Sequence, residues 1–524
     1  MELSTADMAT ARPHPSGERH PTSAKAVWWR SFGVLLLVLV VRNRYLFVTK
    51  IYEAEDFGAN GIAILDAKHL ALLTGNYSRL GFFHPGPVFL YVEAAGELLF
   101  HDLLHVVPTP WNGQLLAIFI LNAALIATAM VVMHRHHRSG IGSIACLAVV
   151  LLFAAAHPLT VGSSWMPYVY FAPTLLLMVS AASVAAGRAA DLPLLALSAS
   201  LCVHGHVEFL LFAPVVVLAA LVTLTVRRRR AGTALLGGDR RHWFWALGVA
   251  GVFAAPIALH TALHWPGEFA KYFSYQGSGS RHRVHSAAST ADYVLHYWSS
   301  GTVAAVLLVL AYLLAKTCPR PDLRRFLLSA LAMALLMSGL FVYYAMTGID
   351  QLDQTYVGYF YWSVPLLVLM IISVGATVRL AERGAAQWAA VAAVTAFAVL
   401  ATVVGQHRDN PYDPPPRYRG VPAIPGAVSI LAGKSSGRPM IIGMDHDAWP
   451  DAVGLILYAS RHGLRMCLRD PRWRILARPQ SVCSLPEIRT GVPYHLYATV
   501  RHRAPNIPIL ARLHQSVVAA SANG

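Results

Sequence analysis

Charge is scarce in this sequence. Asp, Glu, Lys and Arg make up 13% of its 524 residues while 56% are hydrophobic, and a mean hydropathy of +0.49 is too apolar for a water-soluble protein of this length. Cysteine is scarce too. The five present show no CxxC spacing and no adjoining histidine pattern, which excludes a zinc module of the usual spacing. Acids are outnumbered, 26 against 42 Lys and Arg, for a formal net charge of +16. In a soluble protein such an excess points to nucleic acid; in a polytopic membrane protein it marks cytoplasmic loops, so no nucleic-acid partner is expected. No internal repeat stands out. Residues 1–26 are polar and rich in Pro and Ser, the composition of a disordered cytoplasmic tail. The apolar run after them carries no small-residue cleavage site and reads as a retained anchor, not a secretory signal.

What the chain has in quantity is apolar runs of membrane length. They begin near Trp28, Gly113, Gly140, Tyr168, Leu192, Phe209, Trp243, Thr302, Phe326, Val357 and Gln387, each suited to a hydrocarbon core of about 30 Å. Arg12, Arg19, Lys25 and Arg30 put the N-terminus in the cytoplasm. Alternation then brings Arg135–Arg138, Arg188, Arg227–Arg230 with Arg240 and Arg241, Lys316–Arg325 and Arg379–Arg383 to the same side, as the positive-inside rule requires. The expected fold class is a mainly α, polytopic helical membrane protein of about eleven spans, N-terminus in and C-terminus out.

That count holds only if residues 86–100 (GPVFLYVEAAGELLF) do not cross. Glu93 and Glu97 lie four apart on one helical face, with Val88, Phe89, Val92 and Leu99 opposite, the pattern of an interfacial helix. Residues 27–405 then form the membrane domain, with 49–112 as its first external loop. Residues 406–524 form an external linker and a small α/β domain. Its Pro-rich entry, DNPYDPPPRYRG, precedes a strand (PMIIGMD), a helix (WPDAVGLILYASRHG) and further strands (LRMCLRD, YHLYATV). In an oxidising compartment Cys467 and Cys483 are a candidate disulfide, against the alternative of two free thiols.

The first loop concentrates the residues that carry chemistry. Glu53, Glu55 and Asp56 follow the first span. A carboxylate there can act as general base on a hydroxyl or help to hold a divalent cation; the plainer reading is that acids end a span because water is there. From Gly58 to Leu73, Ile62, Leu65, Leu72 and Leu73 alternate with Asp66, Lys68 and His69, so a helix is expected to lie flat on the membrane. Gly75-Asn76-Tyr77 turns the chain, and His84-Pro85-Gly86-Pro87 breaks it. Such a loop would hold an acid near headgroup phosphates. Arg42, Arg44, Lys50, Arg79, His84 and Lys271 are candidates for an anionic lipid phosphate, or simply snorkel to headgroups. Arg281 and Arg283 belong with Lys271 in one loop.

Further candidates lie at similar depth: Tyr77, His157, Trp165, Asp350 and Asp353, and the trio His204, His206 and Glu208. The i, i+2, i+4 spacing of the trio does not put all three on one helical face, so a pocket-lining cluster fits better than a metal site. Trp165 can stack on a sugar or serve as an interfacial anchor. Asp350 and Asp353 can position an acceptor or solvate a turn.

This order of features resembles the first external loop of GT-C type glycosyltransferases: an acid after span one, a surface helix, a Gly-x-Tyr turn, an aromatic stretch, then His-Pro-x-Pro before an apolar helix. That superfamily includes the protein O-mannosyltransferases and the aminoarabinose transferase of lipid A. YSRLGFFHPGP is more similar to a bacterial branch of multispan proteins assigned to the same superfamily. The detailed resemblance covers about fifty residues. It implies a polyprenyl-phosphate-linked sugar as donor, transfer outside the cytoplasm with inversion, and an acceptor in the cell-envelope glycan or lipid. It further implies a bacterial cytoplasmic-membrane location and a first-loop Asp as catalytic base, which maps to Asp56. The acid pair is reversed relative to the family's Asp-Glu, so Glu55 stays as the alternative. Members differ in their need for a divalent metal, so none is carried over. A multispan transporter or flippase of lipid-linked sugars, and an inactive glycan-binding relative, are the competing readings.

Overall fold

The computed structural model describes residues 23–234, 239–277, 284–382, 418–499 and 508–520. The apolar run from Gln387, most of the Pro-rich linker, Arg281, Arg283 and most of the N-terminal tail lie outside the described residues. The rest is mainly helical, with one small sheet near the C-terminus.

The longer helices, in chain order, are α1 (Ala24–Arg42), α2 (Glu55–Lys68), α3 (Val88–Gly96), α4 (Pro110–His137), α5 (Gly140–Ala156), α6 (Phe171–Ala185), α7 (Leu192–Gly205) and α8 (Phe209–Arg230). They continue with α9 (Arg240–Leu263), α10 (Gly267–Gly277), α11 (Ala287–Leu295), α12 (Gly301–Lys316), α13 (Pro321–Thr347) and α14 (Ser363–Glu382). Ten of the apolar runs thus appear as helices. Among the described residues seven helices are long and apolar enough to cross a membrane, or eight if the bent pair around α11 and α12 counts as one span; α5 and the helix ending at Gly205 are apolar but shorter. These are the helices of a membrane-embedded protein. Their ends follow local chemistry: Ser139 and Ser300 accept from the N–H groups of Gly142 and Val303, and Arg227–Arg230 close the last turn of α8, where cations suit the helix dipole.

The C-terminal unit comprises α15 (Ile424–Ser435), α16 (Trp449–Arg461) and strands β1 (Met440–Met444), β2 (Met466–Leu468), β3 (Val492–Ala498), β4 (Ile509–Arg512) and β5 (Ser516–Ala520). The sheet order is β2-β1-β3-β5-β4; β1 pairs in parallel with β2 and β3, and β5 runs antiparallel between β3 and β4. Cys467 and Cys483 are bonded, Cα atoms 5.0 Å apart.

The first loop departs from the expectation of helices resting on a membrane. Helix α2 is a wedge between two cores. Ala54, Ala59 and Ile62 pack into the core of the C-terminal unit, whereas Phe57, Ala63, Ile64 and Ala67 pack into the helical core. The approach of α16 is close: a Cβ on Gly454 would stand 2.5 Å from the Glu53 carbonyl oxygen, which leaves room for glycine alone, and one on Gly61 would stand 2.3 Å from the Leu457 side chain, which would have to move. Helix α3 is turned the opposite way from the interfacial reading. Glu93 and Glu97 are buried, and the neighbouring Leu98, Leu99, Leu103 and Leu104 are exposed.

Glu97 turns inward onto partners from other elements. Arg461, at the end of α16, donates to both oxygens of Glu53 (2.8 and 2.9 Å) and to Glu97 (3.0 Å). Glu97 also accepts from Lys68 (2.9 Å) and the Gln114 amide (2.8 Å), and Lys68 reaches Asp102 at 2.5 Å. Burial opposes ionisation of Glu97, but Arg461, Lys68 and Gln114 outweigh it and hold its carboxyl below the usual range. Glu93 has no such partner, and burial followed by the charges of Glu53 and Glu97 raises its carboxyl well above it. Arg461→Met leaves Glu53 and Glu97 buried without their shared cation, which costs about 3–5 kcal/mol. Thermal unfolding of the purified protein in detergent should show that loss, with partial recovery when Glu53→Gln is added; a wild-type melting temperature for Arg461→Met alone would contradict the assignment.

Candidate functional site

Three backbone features bring Asp56 to its position. The strand of chain at 52–54 is held by residues 418–421: Val421 N donates to the Tyr52 carbonyl (2.9 Å), and the Ala54 N–H donates to the Tyr418 hydroxyl (2.9 Å). Glu55 then adopts φ +55°, a left-handed conformation that non-glycine residues rarely hold. Helix α2 starts at that bend, so the adjacent acids face different surroundings. Asp56 lines a cavity of about 890 Å³. Glu55 turns toward the C-terminal unit and accepts from the Gln515 amide at 3.2 Å; burial, then the charge of Asp56, raises its carboxyl above the usual range.

The partners of Asp56 come from two other loops. Residues 75–84 form a tight hairpin: Gly75 N donates to the His84 carbonyl (2.8 Å), His84 N to Asn76 O (2.9 Å) and Ser78 N to Phe82 O (2.8 Å), with Gly81 at φ +90°. This hairpin carries Tyr77, whose hydroxyl donates to Asp56 Oδ1. Trp165 Nε1 donates to Oδ2 at 2.7 Å. Each carboxylate oxygen keeps a further lone-pair direction for a third group. Burial, then the Asp56 charge, pushes the Tyr77 hydroxyl well above its ordinary range, so it remains a donor.

The cavity lining is of two kinds. Asp56, Asn60, Asn76, Tyr77 and the ion pair Arg79–Asp350 (2.6 Å) are polar. Leu210, Leu211, Phe269, Phe273 and Tyr343 are apolar or aromatic, and of these Leu211, Phe273 and Tyr343 are exposed. His84, His206 and Glu208 line the same cavity. Their rings and carboxyl adjoin: the imidazoles are 4.2 Å apart between centroids, and His206 Nδ1 contacts Glu208 Oε2. Trp449, the first residue of α16, completes the lining from the C-terminal unit.

Of the residues singled out in the sequence, Asp56, Tyr77, Arg79, His84, Trp165, His206, Glu208 and Asp350 meet in this cavity. The others do not line it. Arg42, the last residue of α1, and Arg44 and Lys50 beyond it are exposed, and Arg42 reaches the Ala154 carbonyl at 3.5 Å. Lys271 pairs with Glu268 (2.7 Å), which also accepts from Phe83 N (2.8 Å). His157 lies against Trp362, 4.0 Å between centroids. His204 bonds the Phe253 carbonyl through Nε2 (2.7 Å), and Asp353 is exposed. Among the described residues no three His, Cys, Asp or Glu side chains are grouped so as to hold a metal ion. Sequence reasoning missed Asn60, Tyr170, Tyr356 and Trp449 of the lining. Gly58 and Gly61 were the available signal for Trp449, since small residues three apart on a helix mark a close neighbour.

Substitutions at Asp56 separate charge from shape. The amide of Asp56→Asn can offer its oxygen to Trp165 and its NH₂ to the Tyr77 oxygen, so its unfolding should match wild type. Asp56→Leu strands the buried Trp165 N–H and should cost about 1–3 kcal/mol; thermal unfolding of both proteins checks the pair, and an Asn variant as unstable as Leu would contradict it. Comparison with protein-family models and with curated proteins finds no match for this chain.

Proposed function

We propose that this chain is a membrane glycosyltransferase of GT-C type. In this reading it crosses a bacterial cytoplasmic membrane about eleven times, with its N-terminus in the cytoplasm and its C-terminal unit outside. The cavity around Asp56 then opens on the external side. The donor is a sugar linked to a polyprenyl phosphate and the acceptor is a hydroxyl of a cell-envelope glycan or lipid.

The reaction is a displacement with inversion. Asp56 takes the proton of the acceptor hydroxyl, the oxygen forms a bond to the anomeric carbon, and the bond from that carbon to the phosphate oxygen breaks with its electron pair leaving on the phosphate. The observation that carries the reading is the setting of Asp56: a carboxylate held by one donor on each oxygen, in a large cavity lined by both polar and apolar side chains. A base must be rigid and within hydrogen-bond reach of the group it deprotonates, and a sugar on a long lipid needs both kinds of lining. Glu55, turned away onto Gln515, is the weaker candidate.

Removal of a general base typically lowers the rate by about 10²–10⁴. In membranes supplied with radiolabelled polyprenyl-phosphate sugars, Asp56→Asn should lose transfer by that order while Glu55→Gln retains most of it. Equal transfer by wild type and both variants would remove the catalytic assignment.

A further inference from the structure

The cavity holds a second constellation that the base does not use. His84 and Glu208 are buried, and His206 lies between them. The tautomers of both imidazoles follow from their neighbours. The Val207 N–H donates to His84 Nδ1 at 3.3 Å, so in the uncharged ring the hydrogen sits on Nε2. Burial, then the adjacent His206, keeps His84 well below its ordinary range, and burial pushes His206 down to about 3. Burial likewise raises the Glu208 carboxyl well above its usual range, opposed by a hydrogen bond from Tyr344. His206 Nδ1 meets Glu208 Oε2, and a protonated carboxyl that donates from Oε2 to Nδ1 leaves the His206 hydrogen on Nε2.

We propose that His84 and His206 form a subsite for the oxygens of a phosphate group, each presenting an Nε2–H donor, with Glu208 fixing the His206 tautomer. The surroundings favour a phosphate carried on a lipid. Glu208 immediately precedes α8, a 22-residue helix, whose positive dipole end adds to the attraction for an anion. Leu210 and Leu211 follow in its first turn and line the same cavity, and Leu211 is exposed. The headgroup subsite and an apolar track are thus one helical turn apart. That the anion is the donor's phosphate rests on the glycosyl-transfer reading; the subsite itself rests on the imidazole pair and its neighbours.

Binding measured without turnover tests the subsite. Purified full-length protein in detergent is titrated with a labelled polyprenyl monophosphate, with the matching unphosphorylated polyprenol, and with inorganic phosphate as competitor. Wild type should bind the phosphorylated lipid about tenfold or more tightly than the polyprenol, because donors to a charged acceptor carry the difference. Inorganic phosphate should displace it; displacement of neither form would mean that the site reads the lipid alone and would overturn the proposal. His206→Phe should weaken binding about tenfold or more, with partial rescue by His206→Gln. Glu208→Gln, whose amide can still donate to Nδ1, should bind within about threefold of wild type, while Glu208→Leu should fall like His206→Phe. Equal affinity for polyprenol and its phosphate, a comparison that needs no variant to fold, would overturn the proposal. So would a Glu208→Gln protein that loses as much as Glu208→Leu, since that requires an ionised carboxylate. Asp56→Asn should bind the phosphorylated lipid as wild type does, so a failed transfer assay and a failed phosphate subsite are separate results.

Discussion

One guanidinium holds the site together. Arg461 stands at the end of a helix in the C-terminal unit and satisfies two buried carboxylates, Glu53 and Glu97, from the first loop. Three carboxyls share that space, counting Glu93, and they would repel or be forced to take up protons without it. A buried ion pair of this kind adds little net stability, but it tolerates few alternative arrangements. The bend at Glu55 and the first turn of α2 follow Glu53 within three residues. The chain leading to Asp56 is thus anchored at Glu53 by a residue 408 positions further along the sequence.

The same dependence explains what sequence could and could not reveal. Helices are local, and the apolar runs starting near Trp28, Gly113, Phe209 and Phe326 announced α1, α4, α8 and α13 without any knowledge of their neighbours. The C-terminal unit was legible in the same way, through a Pro-rich entry and the strand-like PMIIGMD. The orientation of α3 was not. Glu93 and Glu97 on one face read as a water-facing stripe because the counter-charges of Glu97, Lys68 and Arg461, come from other elements. Helix α2 likewise read as half-buried on a membrane, when its second face packs on α16.

The site was legible where its residues come from the first loop and from spans close in depth: Asp56, Tyr77, His84 and Trp165 all line one cavity. Charge alone is a poorer guide. Arg42, Arg44 and Lys50 are cations near a membrane surface in the sequence, yet they do not line the cavity; they are exposed at and after the end of α1. The cavity is lined instead by two imidazoles, His84, which accepts from the Val207 N–H, and His206, which meets Glu208. Nothing in VHGHVEF distinguishes such a pair from helix-lining histidines; only the 4.2 Å approach of His84 does.

The account's central claim is that the chain cleaves a sugar from a lipid phosphate at this cavity. The most direct measurement is a product balance on purified wild-type protein in proteoliposomes containing a doubly labelled polyprenyl-phosphate sugar and an envelope acceptor. The account predicts that sugar appears on the acceptor with polyprenyl phosphate released in equal molar amount. Movement of the intact labelled lipid between leaflets with no release of polyprenyl phosphate would contradict it.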